Sequence, residues 1–104
     1  MSSFDEREKS FEKKFVHDEE LQFKVNAKRN KYLGEWAADK FGKMDSDRAA
    51  YAQEVIKSDF AEPGDEDVFR KIQGDFKKAS ISISDLEIRE QMSSLLERAK
   101  KEFL

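Results

Sequence analysis

The chain has 104 residues, with 20 basic and 23 acidic side chains, a net charge of −3 and no cysteine. This length predicts one domain plus, at most, a terminal segment. The acidic balance excludes a large basic field for nucleic acid or an anionic membrane, and the lack of cysteine excludes disulfides and thiolate sites. With 41% charged and 12% aromatic residues, we expect a small core rich in phenylalanine.

Signals for membrane insertion, export and catalysis are missing from the sequence. No apolar run is longer than four residues, and the acidic N-terminus lacks the apolar region of a signal peptide. There is no GxxxxGK[ST], GxGxxG or GxSxG motif, and one histidine without cysteine argues against zinc. The acidic stretch 62–67 is not a calcium loop, because a loop counted from Asp65 has no glycine at its sixth position and Phe76 in place of glutamate at its twelfth. We therefore predict a soluble, cytoplasmic protein that is not an enzyme and holds no metal.

The first twenty residues predict a helix that has no partner in its own chain. Phe4, Phe11 and Phe15 are spaced by seven and four, so they form one narrow aromatic seam on a helix whose other residues are mostly charged. A seam this thin is typical of a segment that folds on a partner. We therefore predict a mobile amphipathic arm over residues 1–17 and a separate domain over residues 18–104.

Helical spacing dominates residues 18–104 and predicts an all-α four-helix bundle with short loops. The first helix should begin after an N-cap at Asp18 and stop at Gly42. The second should be capped by Asp45 or Ser46 and run to about Phe60. The residues expected to face the core in these two helices are Leu21, Val25, Tyr32, Leu33, Trp36, Ala37, Phe41, Ala49, Ala52, Val55, Ile56 and Phe60.

The second half of this domain begins after a break at Pro63-Gly64. Acidic residues from Asp65 open the third helix, and residues 80–84 form an extended connector pinned by its isoleucines. Ser84 and Glu87 form a capping box for the fourth helix. The residues expected to face the core here are Val68, Phe69, Ile72, Phe76, Leu86, Met92, Leu95, Leu96, Ala99 and Phe103.

Three features outside the arm have competing interpretations. For the basic cluster of Lys28, Arg29 and Lys31, we favour a solvated helix face over a phosphate site. For His17, at the junction of arm and domain, we favour a solvated residue over a proton-sensitive hinge. Gly34 is either a close-packing point or a weak place in a long helix, and the sequence leaves both open.

Two blocks of the sequence carry a resemblance to a known family. The first block contains FDEREK at 4–9, FEKKF at 11–15, HDEEL at 17–21, AKRN at 27–30 and LGEWAA at 33–38, and the second contains SDF at 58–60 and GDEDV at 64–68. With these residues the whole chain resembles the zeta subunit, or ATPase inhibitor subunit, of the alphaproteobacterial F-type ATP synthase. Departures from the family pattern are Lys28, Pro63 and the serine-rich residues 80–84.

The resemblance implies a function for the arm. In this family an N-terminal helix wedges between catalytic subunits of the ATPase head near the rotor and stops the hydrolysis direction, while a four-helix bundle anchors the protein. The implied inhibitory segment covers about residues 2–17. Its implied contact residues are the apolar Phe4, Phe11 and Phe15 and the polar Asp5, Arg7, Glu8, Lys9, Glu12 and Lys14. The resemblance also implies a monomer when free, peripheral to the inner membrane when bound.

Two other classes of function stay open on the sequence alone. One is a generic helical adaptor whose arm binds some other protein. The other is a regulatory module that binds an adenine nucleotide weakly, with Lys28, Arg29 and Lys31 as phosphate contacts. No other cofactor is expected.

Overall fold

The computed structural model describes residues 3–60 and 65–104, with side chains from Glu6 onward. Within these residues it contains five helices and no strand: α1 (Ser3–His17), α2 (Glu19–Lys40), α3 (Asp45–Ser58), α4 (Glu66–Lys78) and α5 (Asp85–Lys101). The all-α prediction is confirmed, and the four predicted helices correspond to α2–α5, which we call the helical body. No helix in the described residues is long and apolar enough to cross a membrane.

The longest helix, α2, lies at the centre of the helical body. It packs against α3 and α5, and α4 contacts all three of the other helices. The buried residues shared by these helices form one cluster, which contains Leu33, Ala37, Ala38, Tyr51, Val55, Val68, Phe69, Ile72, Phe76, Ile88 and Met92. A sequence in which apolar residues are scarce thus concentrates them on the facing stripes of four helices.

Two helices begin at predicted N-cap residues whose side chains accept a capping hydrogen bond. Asp18 accepts a hydrogen bond from the backbone N–H of Leu21 at 3.0 Å, and Ser84 accepts one from Glu87 at 3.0 Å. Both predicted N-caps are confirmed. At α3 the prediction of Asp45 or Ser46 is wrong, because Met44 is the N-cap and its side chain makes no capping bond.

The end of α2 needs a glycine. Gly42 has a φ of +76°, a left-handed conformation that costs glycine nothing. The turn lets the backbone N–H of Lys43 donate to the carbonyl of Ala38 at 2.9 Å, which satisfies a carbonyl at the helix end. The predicted stop at Gly42 is confirmed.

A gap in the apolar pattern of α2 is filled by polar residues in the core. Between Val25 and Leu33, both fully buried, the inward positions are Arg29 and Asn30, each only 1% exposed. Arg29 lies four residues from each apolar neighbour, so its side chain continues the same stripe. Sequence periodicity did not predict either residue as buried, because it counts only apolar side chains.

Several residues expected in the core lie at the surface instead. Phe60 is 59% exposed, Leu86 is 68% exposed and Phe103 is 37% exposed, and Ala49 is exposed as well. Phe60 follows the end of α3, Leu86 lies in the first turn of α5, and Phe103 follows the end of α5. Neighbouring helices cover these ends only in part, as Phe23 of α2 does by stacking on Phe60, so apolar character there does not lead to burial.

Connections between helices follow the prediction where they are described. Residues 81–84 form no strand, and Ile81 and Ile83 pack partly buried against the core. The predicted break at Pro63-Gly64 lies outside the described residues. The role of Gly34 is decided by its neighbour, because a Cβ on Gly34 would lie 2.6 Å from Ala52 Cα. Gly34 is thus a close-packing point between α2 and α3.

Candidate functional site

The aromatic seam of α1 packs against the helical body. Phe11 is 8% exposed and forms a second buried cluster with Val25 of α2 and Ala99 of α5. The rings of Phe11 and Phe15 stack at 6.1 Å between centroids. Partly buried apolar side chains complete this group, which we call the α1 cluster: Phe15, Leu21, Leu96 and Leu104.

An ion pair and a cation–π contact join α1 to the last turn of α5. The ammonium of Lys100 lies 3.2 Å from Glu12 Oε1 and 4.7 Å from the centroid of the Phe15 ring. Lys100 also lies 3.7 Å from Glu97 on its own helix. One lysine therefore contacts both a carboxylate and an aromatic ring of α1, although Glu12 is exposed and the pair is worth little by itself.

The link between α1 and α2 is a single residue, Asp18. Its backbone is extended, with φ −108° and ψ 101°, and its N–H donates to the carbonyl of Lys14 at 2.9 Å. The side chain of Gln22 donates to the carbonyls of Phe15 at 2.6 Å and Val16 at 3.1 Å, so it caps the end of α1 from the first turn of α2. His17 is the last residue of α1 and is exposed.

The polar residues assigned to the inhibitory segment lie mostly at the surface. Arg7, Lys9 and Lys14 are exposed, and Glu8 is partly buried. An open groove of about 580 Å³ separates α1 from the end of α5, and it is lined mainly by charged side chains: Glu8, Lys9, Glu12, Lys13, Glu97, Lys100 and Lys101. The side chains of Phe4 and Asp5 lie outside the described residues.

The prediction that the seam has no partner in its own chain is wrong. Ala99 is small and fully buried, which lets the Phe11 ring approach α5. Periodicity placed Leu96 and Ala99 inside the bundle, but it could not show that α1 covers them. Residues missed for the same reason are Gln22, Lys100 and Leu104. Of these, only Lys100 offered a signal, as a cation near the end of α5 that could pair with a carboxylate of the arm.

The basic cluster of α2 does not form one surface. Arg29 is buried and donates to Asp65 Oδ1 at 2.7 Å and to Asn30 Oδ1 at 2.6 Å. Lys28 points towards Glu102, 3.8 Å away, while Lys31 is exposed. The favoured solvated face is therefore wrong for Arg29, whose long side chain spans the core to reach the start of α4.

Carboxylates surround the buried guanidinium of Arg29. Burial raises the pKa of Asp59, and the nearby Asp65 and Asp67 act in the same direction, while a hydrogen bond with Asn30 and the charge of Arg29 oppose them. Asp59 also follows the end of α3, where the helix dipole disfavours negative charge. This group ties α2 to the region between α3 and α4, a structural role that needs no ligand.

The comparisons with known proteins give one matching family and a similar solved structure. A family model described as ATPase inhibitor subunit zeta matches residues 1–102. A protein whose solution structure was determined by NMR is 41% identical, with a TM-score of 0.71; the match covers 80% of this chain and 94% of that protein. No curated protein matches the chain.

Proposed function

Since the chain belongs to the ATPase inhibitor subunit zeta family, we propose that it blocks ATP hydrolysis by the F-type ATP synthase with α1. In this proposal α1 inserts between catalytic subunits of the head near the rotor, and the helical body anchors the protein outside. The protein is a regulator without catalytic activity of its own. It is a cytoplasmic monomer when free and peripheral to the inner membrane when bound.

The construction of α1 is the observation that supports this mechanism best. It is a separate helix of 15 residues, linked along the chain to α2 by the single residue Asp18, with an aromatic pair on one side and charges around the rest. A helix of this length spans roughly 22 Å, enough to reach from an outer surface into a cleft between subunits. Phe11 and Phe15 are its described apolar anchors, and Arg7, Glu8, Lys9, Glu12 and Lys14 supply polar contacts.

The test is steady-state ATP hydrolysis by the cognate ATPase head, titrated with the protein. Replacing Phe11 and Phe15 together by Ala should weaken inhibition severely, because aromatic anchors commonly contribute roughly 2 kcal/mol each to an interface. This corresponds to roughly a 30-fold higher half-inhibitory concentration for each anchor. ATP synthesis by the intact enzyme should be affected less than hydrolysis.

A matched control is available in the same chain. Phe23 and Phe60 are also a stacked aromatic pair, with centroids 5.8 Å apart, but both are more than half exposed and neither belongs to the α1 cluster. Replacing these two by Ala should leave inhibition close to wild type. Inhibition that depends equally on both pairs, or is absent with the wild-type protein, would argue for the adaptor function instead.

A further inference from the structure

Phe11 and Phe15, two of the aromatic side chains that the proposed function assigns to the ATPase, already make contacts within the chain. Phe11 is buried against Val25 and Ala99, and Phe15 lies beneath the ammonium of Lys100. A ring enclosed in this way cannot contact a second protein at the same time. We propose that α1 is held in a closed state on the end of α5 and must detach before it can inhibit. This inference rests on the proposed function.

The contacts that hold α1 closed are few, so the closed state can open. Of the described side chains of α1, Phe11 alone is buried. The backbones of α1 and α5 stay far enough apart to leave the open groove between them, and long side chains bridge it. Lys100 is the central contact, because it pairs with Glu12 and covers Phe15. A surface this small holds a helix reversibly rather than as a permanent part of the core.

The link at Asp18 allows opening without damage to the body. The backbone N–H of Leu21 donates to the Asp18 carboxylate, and this hydrogen bond caps the start of α2. It therefore does not depend on the orientation of α1. The bonds that do depend on the closed direction are those from Gln22 to the carbonyls of Phe15 and Val16. Opening therefore exchanges a small set of contacts and leaves the buried cluster of α2–α5 intact.

Closure weakens inhibition by a predictable factor. When only a fraction of the molecules is open, the apparent dissociation constant equals the intrinsic constant divided by that fraction. A change on α5 that destabilises the closed state should thus strengthen inhibition, although the sequence of α1 is untouched. If the contact on α5 only stabilised the inhibitory form of the protein, its loss would weaken inhibition. The direction of the change in inhibition therefore tests the proposal.

Lys100→Glu is the first test. It places a carboxylate beside Glu12 and removes the cation from Phe15, so about a fivefold lower half-inhibitory concentration is expected. Lys77→Glu is the matched control, because it makes the same charge change in the last turn of another helix, α4, and should leave inhibition unchanged. Amide exchange in residues 6–17 should become faster in Lys100→Glu alone. An unchanged or higher half-inhibitory concentration for Lys100→Glu would overturn the proposal.

A reversible cross-link is the second test. Lys13 on α1 and Lys101 on α5 line the same groove, and the chain has no other cysteine to compete. Lys13→Cys with Lys101→Cys, joined by a reducible bismaleimide, should not inhibit hydrolysis, and reduction of the linker should restore inhibition. Full inhibition by the cross-linked protein would overturn the closed state while leaving the proposed function standing. If neither the wild type, the reduced protein nor Lys100→Glu inhibits, the proposed function itself fails.

Discussion

The guanidinium of Arg29, 1% exposed, donates to the carboxylate of Asp65 at 2.7 Å and so ties the middle of α2 to the start of α4. Asp65 itself is about half exposed. The pair thus joins a fully desolvated cation to an anion that water still reaches. Loss of the pair therefore costs more free energy at Arg29 than at Asp65, whose carboxylate water can still solvate.

Replacing Asp65 by Ala should therefore destabilise the fold. The substitution leaves Arg29 buried with only Asn30 as a described hydrogen-bond acceptor, and an unsatisfied buried charge costs about 1–3 kcal/mol or more. Urea denaturation of the full chain measures the change. The control is Glu20→Gln, which breaks the exposed pair with Lys24 and should cost less than about 0.5 kcal/mol. Equal effects of the two substitutions would contradict the structural importance of the buried pair.

Asp59 should make the free energy of unfolding fall as pH rises, the opposite of what a carboxylate with a lowered pKa does. Because burial raises its pKa, the folded state holds the proton more tightly than the unfolded state does. Its contribution to stability is therefore complete below the unfolded value of about 3.9 and is lost as pH rises through the higher folded value. Asp59→Asn should stabilise the protein at neutral pH, and the advantage should vanish near pH 4 and below. Urea denaturation across this range tests it, and a variant less stable than wild type at pH 7 would show that the hydrogen bond with Asn30 and the attraction to Arg29 dominate.

The two helical glycines should respond to alanine with opposite signs. At Gly34 the new Cβ would lie 2.6 Å from backbone Cα of Ala52, so α2 and α3 would have to separate, at a cost of about 1–3 kcal/mol. At Gly74, within α4, a Cβ would meet nothing within 4 Å, so alanine should stabilise the helix by about 0.5–1 kcal/mol. Thermal melting of both variants checks the prediction. Two shifts of the same sign would mean that helix propensity, and not the approach of Ala52, decides the outcome at Gly34.

Phe11 should matter for stability as well as for inhibition. Its ring fills the α1 cluster, so Phe11→Ala should cost about 1–3 kcal/mol, less than a fully enclosed phenylalanine because the site lies at the edge of the body. Phe23→Ala removes a ring that is 55% exposed and should cost well under 1 kcal/mol. Chemical denaturation compares them. Equal stability of Phe11→Ala and wild type would mean that α1 contributes nothing to the folded domain, as a mobile arm would.

The sequence by itself determined the number, type and approximate ends of helices α2–α5. These depend on local chemistry, in which Asp18 and Ser84 cap helix starts and Gly42 adopts a left-handed turn. The resemblance to the family was also readable from short blocks of residues, and the match over residues 1–102 confirms it. Each of these signals lies within a few residues of the feature it predicts.

Only the tertiary structure decided which surfaces meet. Arg29 enters the core because Asp65, 36 residues away, accepts its hydrogen bond, and Phe60 stays exposed because Phe23 of α2, which stacks on its ring, is itself exposed. In the same way Phe11 and Phe15 are covered by Ala99 and Lys100, more than 80 residues along the chain. Periodicity reports which face of a helix is apolar, but burial needs a second surface. Where that surface lies follows from the packing of all the helices together, and for α1 it determines whether the aromatic seam is exposed or covered.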